Sequence, residues 1–419
     1  MPIPDAKTTV IENSLTLVTE EIASLRSVAM GVLVGTGSGS ESEKESGISH
    51  FIEHMLFKGT TKRSAYDIAH ALDAVGGKIN AYTGKEFTMY YAVVLDKHID
   101  VAIDVLSDIV VNSLYDDDAI ELEKGVVLEE IKMYEDTPDE LIHDYFAEKI
   151  LHGHTLAKPI IGNEESVRAI SRGEILNYLD RSYGPQNTVI ALAGAVPKDI
   201  VSRISKAFAG YKGIGVRGQY EIPQIKGGQY LKKKKTEQVH LCLGTKGVSQ
   251  IEDDRYPYAV LDNILGGSMS SHLFQEVREK RGLVYSIYST SSPFRDFGLS
   301  YVYAGTSAGS LEQVINLILL EFSQLKKEGI SLAELDKARE NLKGSLVLGL
   351  ESTSSRMSWL AKSQMYHNRV QTIDEVFEKV DKVTNDDIIR MANDYFKDEY
   401  LTLAVIGDLG ELPPLLPWT

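Results

Sequence analysis

His50-Phe51-Ile52-Glu53-His54 is a stretch in which two imidazoles and one carboxylate fall within five residues. Residues four apart in an α-helix lie one above the other, so His50 and His54 would share one helix face. Two neutral imidazole nitrogens at that spacing suit one Zn²⁺ ion. Glu53 flanks the same face, where a carboxylate can take a proton from a metal-bound water without being a ligand. The stretch therefore predicts a helix that carries part of a zinc site.

The residues on either side weigh against the alternative, which is a pair of surface histidines beside a solvated glutamate. Gly47-Ile48-Ser49 precedes the stretch and Met55-Leu56-Phe57 follows it, so the histidines lie in an apolar helix where polar groups need partners. A catalytic zinc usually has three protein ligands and a water. The metal hypothesis therefore requires a third ligand elsewhere in the chain.

A second predicted helix, residues 116–136, contains the candidate third ligand. One stripe of this helix combines apolar residues with two carboxylates: Glu123, Val126, Val127, Glu130 and Tyr134. Burying two unpaired carboxylates is costly, and a nearby divalent cation would remove that cost. We expect Glu130 to be the third ligand and Glu123 to orient a histidine or the metal. The alternative is a solvent-facing acidic helix, and spacing alone separates Glu130 from Glu129 only weakly.

Five segments of the chain resemble the pitrilysin/insulin-degrading enzyme family of inverzincin zinc metallopeptidases, whose zinc helix has the order H-x-x-E-H. Within that family the chain resembles the branch of the mitochondrial processing peptidase β subunit and its bacterial homologues. The matching segments are residues 50–60, 76–83, 123–130, 266–271 and 278–285. Together the matches extend over about residues 10–405, which is nearly the whole chain. The resemblance selects Glu130 over Glu129 as ligand and assigns Glu123 the supporting role.

The resemblance also implies roles for residues outside the zinc helix. It implies that Asn80, Ala81 and Tyr82 lie on an edge strand to which the substrate adds as a further strand. It implies that Arg278 and Tyr285 in the second half contact the substrate and stabilise the oxyanion. Gly266 and Gly267 resemble a glycine-rich, substrate-binding segment of the same domain. The family pattern further implies a homodimer with a composite active-site chamber, in which Arg278 and Tyr285 act on the partner's zinc.

The order of predicted elements repeats in the two halves of the chain, on either side of a glycine-rich stretch without helical period. We predict a zinc-binding catalytic domain at 1–212, a linker at 213–228, and a homologous substrate-binding domain without a metal site at 229–419. The strands and helices indicate an α+β fold of two similar domains, each a mostly antiparallel sheet covered by helices. This matches the half-barrel repeat that the family resemblance implies.

The composition excludes several classes of protein. A formal net charge of −16 argues against nucleic acid as a partner. No apolar stretch approaches the length that spans a bilayer, so no membrane partner is expected. The single cysteine, Cys242, cannot form an intrachain disulfide and is expected to be a buried apolar residue. The N-terminus has neither signal-peptide nor transit-peptide character, which indicates a cytoplasmic protein.

These observations predict a zinc-dependent metalloendopeptidase that hydrolyses peptides or unfolded precursor segments. One Zn²⁺ per chain would be bound by His50, His54 and Glu130, and Glu53 would be the general base on a zinc-bound water. Main-chain pairing of the substrate predicts a loose sequence preference. Two alternatives are a non-catalytic scaffold or assembly subunit and a processing subunit that requires a different partner chain.

Overall fold

The computed structural model describes residues 6–213, 215–218 and 220–415. The first five residues, on which the leader prediction partly depends, and Ile214 and Gln219 of the predicted linker lie outside the described residues. The chain divides into two compact units. The first unit comprises Met1–Lys132, Lys158–Tyr220 and Leu348–Gln371. The second comprises Met133–Ala157, Glu221–Val347 and Thr372–Thr419.

The described residues form eleven strands and fourteen α-helices. The strands are β1 (Lys7–Val10), β2 (Thr16–Glu21), β3 (Ser27–Val34), β4 (Lys78–Thr83), β5 (Thr88–Leu95), β6 (Thr188–Gly194), β7 (Gly228–Lys233), β8 (Val239–Gly247), β9 (Val284–Pro293), β10 (Gly298–Thr306) and β11 (Thr402–Gly407). The helices are α1 (Ile48–Met55), α2 (Ala65–Asp73), α3 (Ile99–Asn112), α4 (Asp117–Glu135), α5 (Pro138–Ile150), α6 (Glu164–Ala169), α7 (Arg172–Ser182), α8 (Ile200–Ala207), α9 (Arg255–Leu265), α10 (Leu311–Lys327), α11 (Leu332–Gly349), α12 (Thr353–His367), α13 (Ile373–Asp381) and α14 (Asn385–Tyr395).

Each unit contains one mixed sheet. The first sheet has the order β1-β2-β6-β3-β5-β4 and the second β7-β11-β8-β10-β9. All neighbouring strands are antiparallel except the pairs β2–β6 and β11–β7. The predicted α+β fold of two similar, mostly antiparallel domains is therefore confirmed. Cys242 is fully buried in β8, which confirms the prediction that it is a buried apolar residue.

Both faces of the first sheet are buried at β3, which explains the nearly continuous apolar run in this strand. Val28, Met30 and Val32 pack into a core with α1 and α3, whereas Ala29 and Leu33 face the opposite side, where α12 packs. The alternation of side chains along a strand thus serves two separate cores. Because both faces are buried, β3 has no alternation of apolar and polar residues.

One helix in each unit comes from the other half of the chain. Helix α12 lies on β2, β3 and β6 of the first sheet, and α5 lies on β8 and β11 of the second. These units differ from the predicted domains 1–212 and 229–419 at those two helices. An amphipathic stripe shows that a helix needs an apolar partner, but it does not identify which sheet supplies that partner. Gly31 in β3 permits the close approach of α12, because a Cβ there would lie 2.2 Å from Met357 Sδ.

No helix among the described residues combines the length and apolar character that crossing a bilayer requires.

A histidine of the second unit lies between two carboxylates. His272 Nδ1 is 3.0 Å from Glu321 Oε2, and its Nε2 is 3.0 Å from Glu334 Oε1. The hydrogen bond to Glu321 raises the pKa of His272 against the opposing effect of burial. Hydrogen bonds from Ser331, and a weaker one from His272, lower the pKa of Glu334 to about 2. Both ring nitrogens of His272 thus have partners, and its contacts connect α10 to α11.

We expect His272→Gln to destabilise the second unit most between pH 4.5 and 6.5, the ordinary pKa values of Glu and His. The raised His272 pKa means that its contribution is complete below 6.5 and is lost as the pH rises through the folded pKa. The depressed Glu334 pKa means that its contribution is complete above 4.5 and is lost at lower pH. Because Glu334 is partly exposed, the free energy of unfolding should fall by only about 1–2 kcal/mol.

Thermal unfolding of the wild type and His272→Gln at about pH 5.5 and about pH 9 measures this difference. The loss should be largest at the lower pH. An equal loss at both values would contradict a contribution from the imidazolium.

Candidate metal centre

The helix α1 begins at a backbone position that requires glycine. Gly47 has φ of +88°, and a Cβ there would lie 2.7 Å from Ile161 O. The buried Glu41 carboxylate accepts hydrogen bonds from the N–H groups of Gly47 (2.7 Å) and Ser49 (2.9 Å). It thereby satisfies two amide groups at the helix N-terminus that have no partner within the helix. Burial raises the pKa of Glu41 to about 7. Sequence analysis missed this residue, because no local spacing identifies a cap that comes from a preceding loop.

The two histidines lie on the opposite side of α1 from its buried residues. Ile48, Phe51, Ile52 and Met55 anchor the helix in the core of the first unit. His50 and His54 remain half-buried, with their ring centroids 4.6 Å apart. The predicted i, i+4 arrangement is therefore present. The helix ends at Met55, so both histidines lie within a helix of about two turns.

Helix α4 presents Glu130 to the two imidazoles. Glu130 Oε2 lies 3.7 Å from His54 Nε2 and 4.0 Å from His50 Nε2. No other group of three His, Cys, Asp or Glu side chains converges this closely among the residues that the structure describes. The neighbouring Glu129 points away and forms an exposed ion pair with Lys132 at 2.7 Å. The choice of Glu130 over Glu129 thus agrees with the geometry.

Glu123, one of the two carboxylates on the predicted stripe, is almost completely buried and supports His54. Its Oε1 lies 2.8 Å from His54 Nδ1, and its Oε2 lies 2.6 Å from Lys58 Nζ. Burial would raise the pKa of Glu123, but the hydrogen bonds from His54 and Lys58 outweigh burial and lower it. An ionised carboxylate only accepts, so Nδ1 of His54 donates to Glu123. When His54 is the neutral ring that a metal ligand requires, the lone pair is therefore on Nε2, which lies toward Glu130.

Val126 departs from the predicted stripe, since its side chain is 42% exposed while Val127 is buried. Lys58 was not recognised from the sequence as a functional residue, although it lies in the segment that resembles the family's zinc helix. Its contact with Glu123 forms across 65 positions of the chain, which no local pattern could reveal. Lys58, Glu123 and His54 thus form a chain of contacts that runs from Lys58 through Glu123 to His54.

Glu53 lies beside the cluster of His50, His54 and Glu130 and accepts a hydrogen bond from the Thr83 hydroxyl. Burial raises the pKa of Glu53, against the lowering effects of Thr83 and His54. The nearby Glu130 charge raises the pKa further. Thr83 is the last residue of β4, so the carboxylate is tied to the end of that strand. A basic carboxylate held beside a cluster of ligands is the arrangement that a general base requires.

The predicted substrate strand is the free edge of the first sheet. Asn80, Ala81 and Tyr82 lie in β4, which among the described strands pairs with β5 alone. The Ala81 N–H donates to the Asn80 side chain (2.8 Å) and not to β5. The main-chain groups of β4 that point away from β5 are therefore available for an added strand once the Asn80 side chain moves.

The remaining predicted site residues lie in the second unit. Arg278 belongs to a π-helical turn, Phe274–Glu279, with its guanidinium 4.7 Å from the Phe274 ring. Tyr285 is in β9 and is 77% exposed. Gly266 and Gly267 follow α9, and both N–H groups donate to Asp262 O at 3.0 Å. The roles predicted for these four residues stay predictions.

The donor set of the cluster suits zinc. Two imidazole nitrogens and one carboxylate oxygen are the ligands of a typical catalytic zinc site, and their mutual separations in a tetrahedral complex are about 3.3–3.6 Å. The observed 3.7 and 4.0 Å are a few tenths of an ångström larger. Burial, reinforced by the charge of His54, lowers the pKa of His50 to about 4, so that this imidazole is neutral at pH 7, as a ligand must be.

Comparison with known proteins identifies the family. Residues 16–164 match the model described as insulinase (peptidase family M16), and residues 169–342 match the peptidase M16 inactive domain. The chain is 41% identical to an uncharacterized zinc protease of Bacillus subtilis over 402 residues, which cover 96% of this chain and 98% of that protein. It is 38% identical to an uncharacterized zinc protease of Streptomyces coelicolor over 418 residues, covering 98% and 91%.

The chain therefore belongs to the insulinase family of peptidases, M16, as the resemblance in its sequence indicated. The crystal structure of a protease from Helicobacter pylori has the same fold, with a TM-score of 0.89 and 23% identity. That match covers 97% of this chain and 100% of the other. The narrower resemblance to the mitochondrial processing peptidase β branch stays a prediction.

Proposed function

We propose that this chain is a zinc metalloendopeptidase that hydrolyses peptides or unfolded precursor segments. The observation that carries the proposal is the convergence of His50, His54 and Glu130 beside the half-buried carboxylate of Glu53. The zinc protease relatives support the same assignment. His50, His54 and Glu130 would hold one Zn²⁺ per chain, which when bound supplies Lewis acidity and lowers the pKa of water.

The protein's own residues would then perform the proton transfers. Glu53 accepts a proton from the attacking water and passes it to the leaving amine. The Thr83 hydroxyl holds one carboxylate oxygen of Glu53 in place and so limits the directions from which the proton can be taken. Glu123, paired with Lys58, fixes the tautomer and the ring orientation of His54.

The substrate would pair with the free edge of β4 through main-chain hydrogen bonds. Tyr285 and Arg278 would stabilise the oxyanion, and Gly266 and Gly267 would contact the peptide. We propose that two copies form a homodimer in which Arg278 and Tyr285 act in trans. Mixing Glu53→Gln chains with Tyr285→Phe chains tests this: verified hybrid dimers without activity above either parent would refute it.

Removal of the metal is the direct test of the proposed function. We expect 1,10-phenanthroline to reduce hydrolysis of an unfolded protein or a quenched-fluorescence peptide by at least about a hundredfold, because the water then lacks its activating ion. Stoichiometric Zn²⁺ should restore the rate, and metal analysis should give one ion per chain. Hydrolysis that continues in the metal-free protein would refute the mechanism. Bound metal without any hydrolysis would favour the scaffold or the partner-dependent subunit.

A further inference from the structure

A cavity of about 400 Å³ opens in the first unit on the face of the sheet that α12 covers. Its walls come from the edge strand β4, its neighbour β5, and the segment that leads into and along α12. The lining residues are Tyr82, Met89, Tyr91, Leu350, Ser354, Ser355, Met357, Ser358, Trp359 and Lys362. Neither Glu53 nor the three candidate metal ligands line this cavity. Its lining residue Tyr82 is, however, adjacent in sequence to Thr83, which contacts Glu53.

The register of the sheet explains why the cavity and the metal centre share one strand. Tyr82 pairs with Met89 in the antiparallel ladder, and paired residues lie on the same face. Thr83 therefore points to the α1 side, where it meets Glu53, and Tyr82 points to the α12 side, where it lines the cavity. Side chains of a peptide strand added to β4 would alternate in the same way. Every second substrate residue would consequently face α12.

The walls of the cavity are apolar and aromatic, with hydroxyl groups at intervals. The Tyr82 and Ser358 hydroxyls are 3.4 Å apart, and the Trp359 indole N–H is satisfied by Gln371 O at 3.2 Å. The Met357 thioether packs against the glycine in β3. Two methionines, a tryptophan and two tyrosines form a surface that suits a large apolar or aromatic side chain.

The cavity is lined by one cationic side chain, that of Lys362. Lys362 Nζ lies 5.5 Å from the centre of the Tyr82 ring and 5.1 Å from that of Phe87. Within the described part of the chain no carboxylate comes within ion-pair distance of this ammonium. Cation–π contacts leave most of its charge uncompensated. The cavity therefore combines an apolar wall with an available positive charge.

We propose that this cavity is a substrate side-chain pocket that takes one bulky apolar residue, preferably aromatic, from a peptide strand paired with β4. Lys362 favours an acidic residue two positions away on the same face of that strand and disfavours a basic one. The inference rests on the proposed peptidase function and adds selectivity at one position to main-chain binding. It does not alter the assignment of the metal ligands.

Binding to an inactive chain tests the pocket separately from catalysis. Glu53→Gln prevents turnover, and Trp418→Phe leaves Trp359 in the pocket as the one tryptophan of the full-length chain. The probes are three peptides that share one backbone length: one with Phe and, two residues away, Glu; one with Ala in place of Phe; and one with Lys in place of Glu. We expect the Phe/Glu peptide to change Trp359 fluorescence and to bind about tenfold or more tighter than the Ala peptide.

Two pocket variants and two matched controls complete the test. Tyr82→Ala should abolish the preference for Phe over Ala, and Lys362→Met should abolish the preference for Glu over Lys while keeping that for Phe. Tyr66→Ala, at an exposed tyrosine of α2, and Lys97→Met, at an exposed lysine outside the pocket, should change neither. Equal binding of the three peptides, without a response of Trp359, would overturn the proposal.

The outcomes distinguish this inference from the proposed function. If the wild type with zinc cleaves the Phe and Ala peptides at equal rates, the peptidase assignment stands and the pocket is refuted. If the wild type cleaves nothing but the inactive chain still selects the Phe/Glu peptide, the pocket stands as a peptide-binding site and the catalytic assignment fails.

Discussion

Replacing Glu53 with glutamine should reduce peptide hydrolysis roughly a hundredfold to ten-thousandfold and leave the bound metal in place. The amide keeps the size of the side chain and can still receive the Thr83 hydrogen bond, but it cannot accept the proton of the attacking water. Glu53 is not one of the three converging ligands, so metal content should be unchanged. Parallel measurement of zinc content and of kcat on a quenched-fluorescence peptide provides both readouts.

The control for this substitution is Glu43→Gln, which makes the same chemical change at an exposed glutamate. It should leave both zinc content and kcat at the wild-type values. If Glu53→Gln retained the original rate, Glu53 would have no part in proton transfer. A loss of metal with the loss of rate would indicate that the carboxylate belongs to the ligand set.

Glu130→Gln should weaken zinc binding by more than about a hundredfold, and hydrolysis should fall in proportion to the metal lost. The estimate is a lower bound, because removal of a group that only supports a ligand already costs about 10- to 100-fold in affinity. A neutral amide is a poor substitute for the carboxylate that lies 3.7 Å from His54 Nε2. Competition with a chromophoric chelator measures the affinity, and excess zinc should partly restore the rate.

Glu129→Gln is the matched control, one residue away on the same helix. Its carboxylate is exposed and paired only with Lys132, so zinc affinity and hydrolysis should remain unchanged. If Glu129→Gln weakened zinc binding and Glu130→Gln did not, the helix would present a different face to the histidines. The pair of variants therefore tests a distinction that sequence spacing alone could make only weakly.

Helix α1, which carries the two histidines, and helix α4, which carries Glu130, could be predicted because their signals are local. His50 and His54 need only the helical period to share a face, and the stripe from Glu123 to Glu130 uses the same period. The order of strands and helices in the two halves was similarly accessible from short apolar runs. The identification of Glu130 over Glu129 required the family pattern, since both residues are compatible with a helix.

The parts that sequence did not reveal depend on contacts between distant segments. Glu41 caps α1 from a preceding loop, Lys58 reaches Glu123 on another helix, and Thr83 reaches Glu53 from the end of β4. Each contact is a matter of packing, which has no period along the chain. For the same reason, the sequence did not predict that α5 packs on the second sheet and α12 on the first.

The placement of α12 has a consequence for how the protein matures. The last strand of the first sheet ends at Gly194, but the helix that covers its second face begins only at Thr353. During synthesis on the ribosome, the apolar surface around Leu33 and Met89 must stay unshielded until most of the polypeptide has been made. The first unit therefore cannot complete its second core until this late-translated segment arrives.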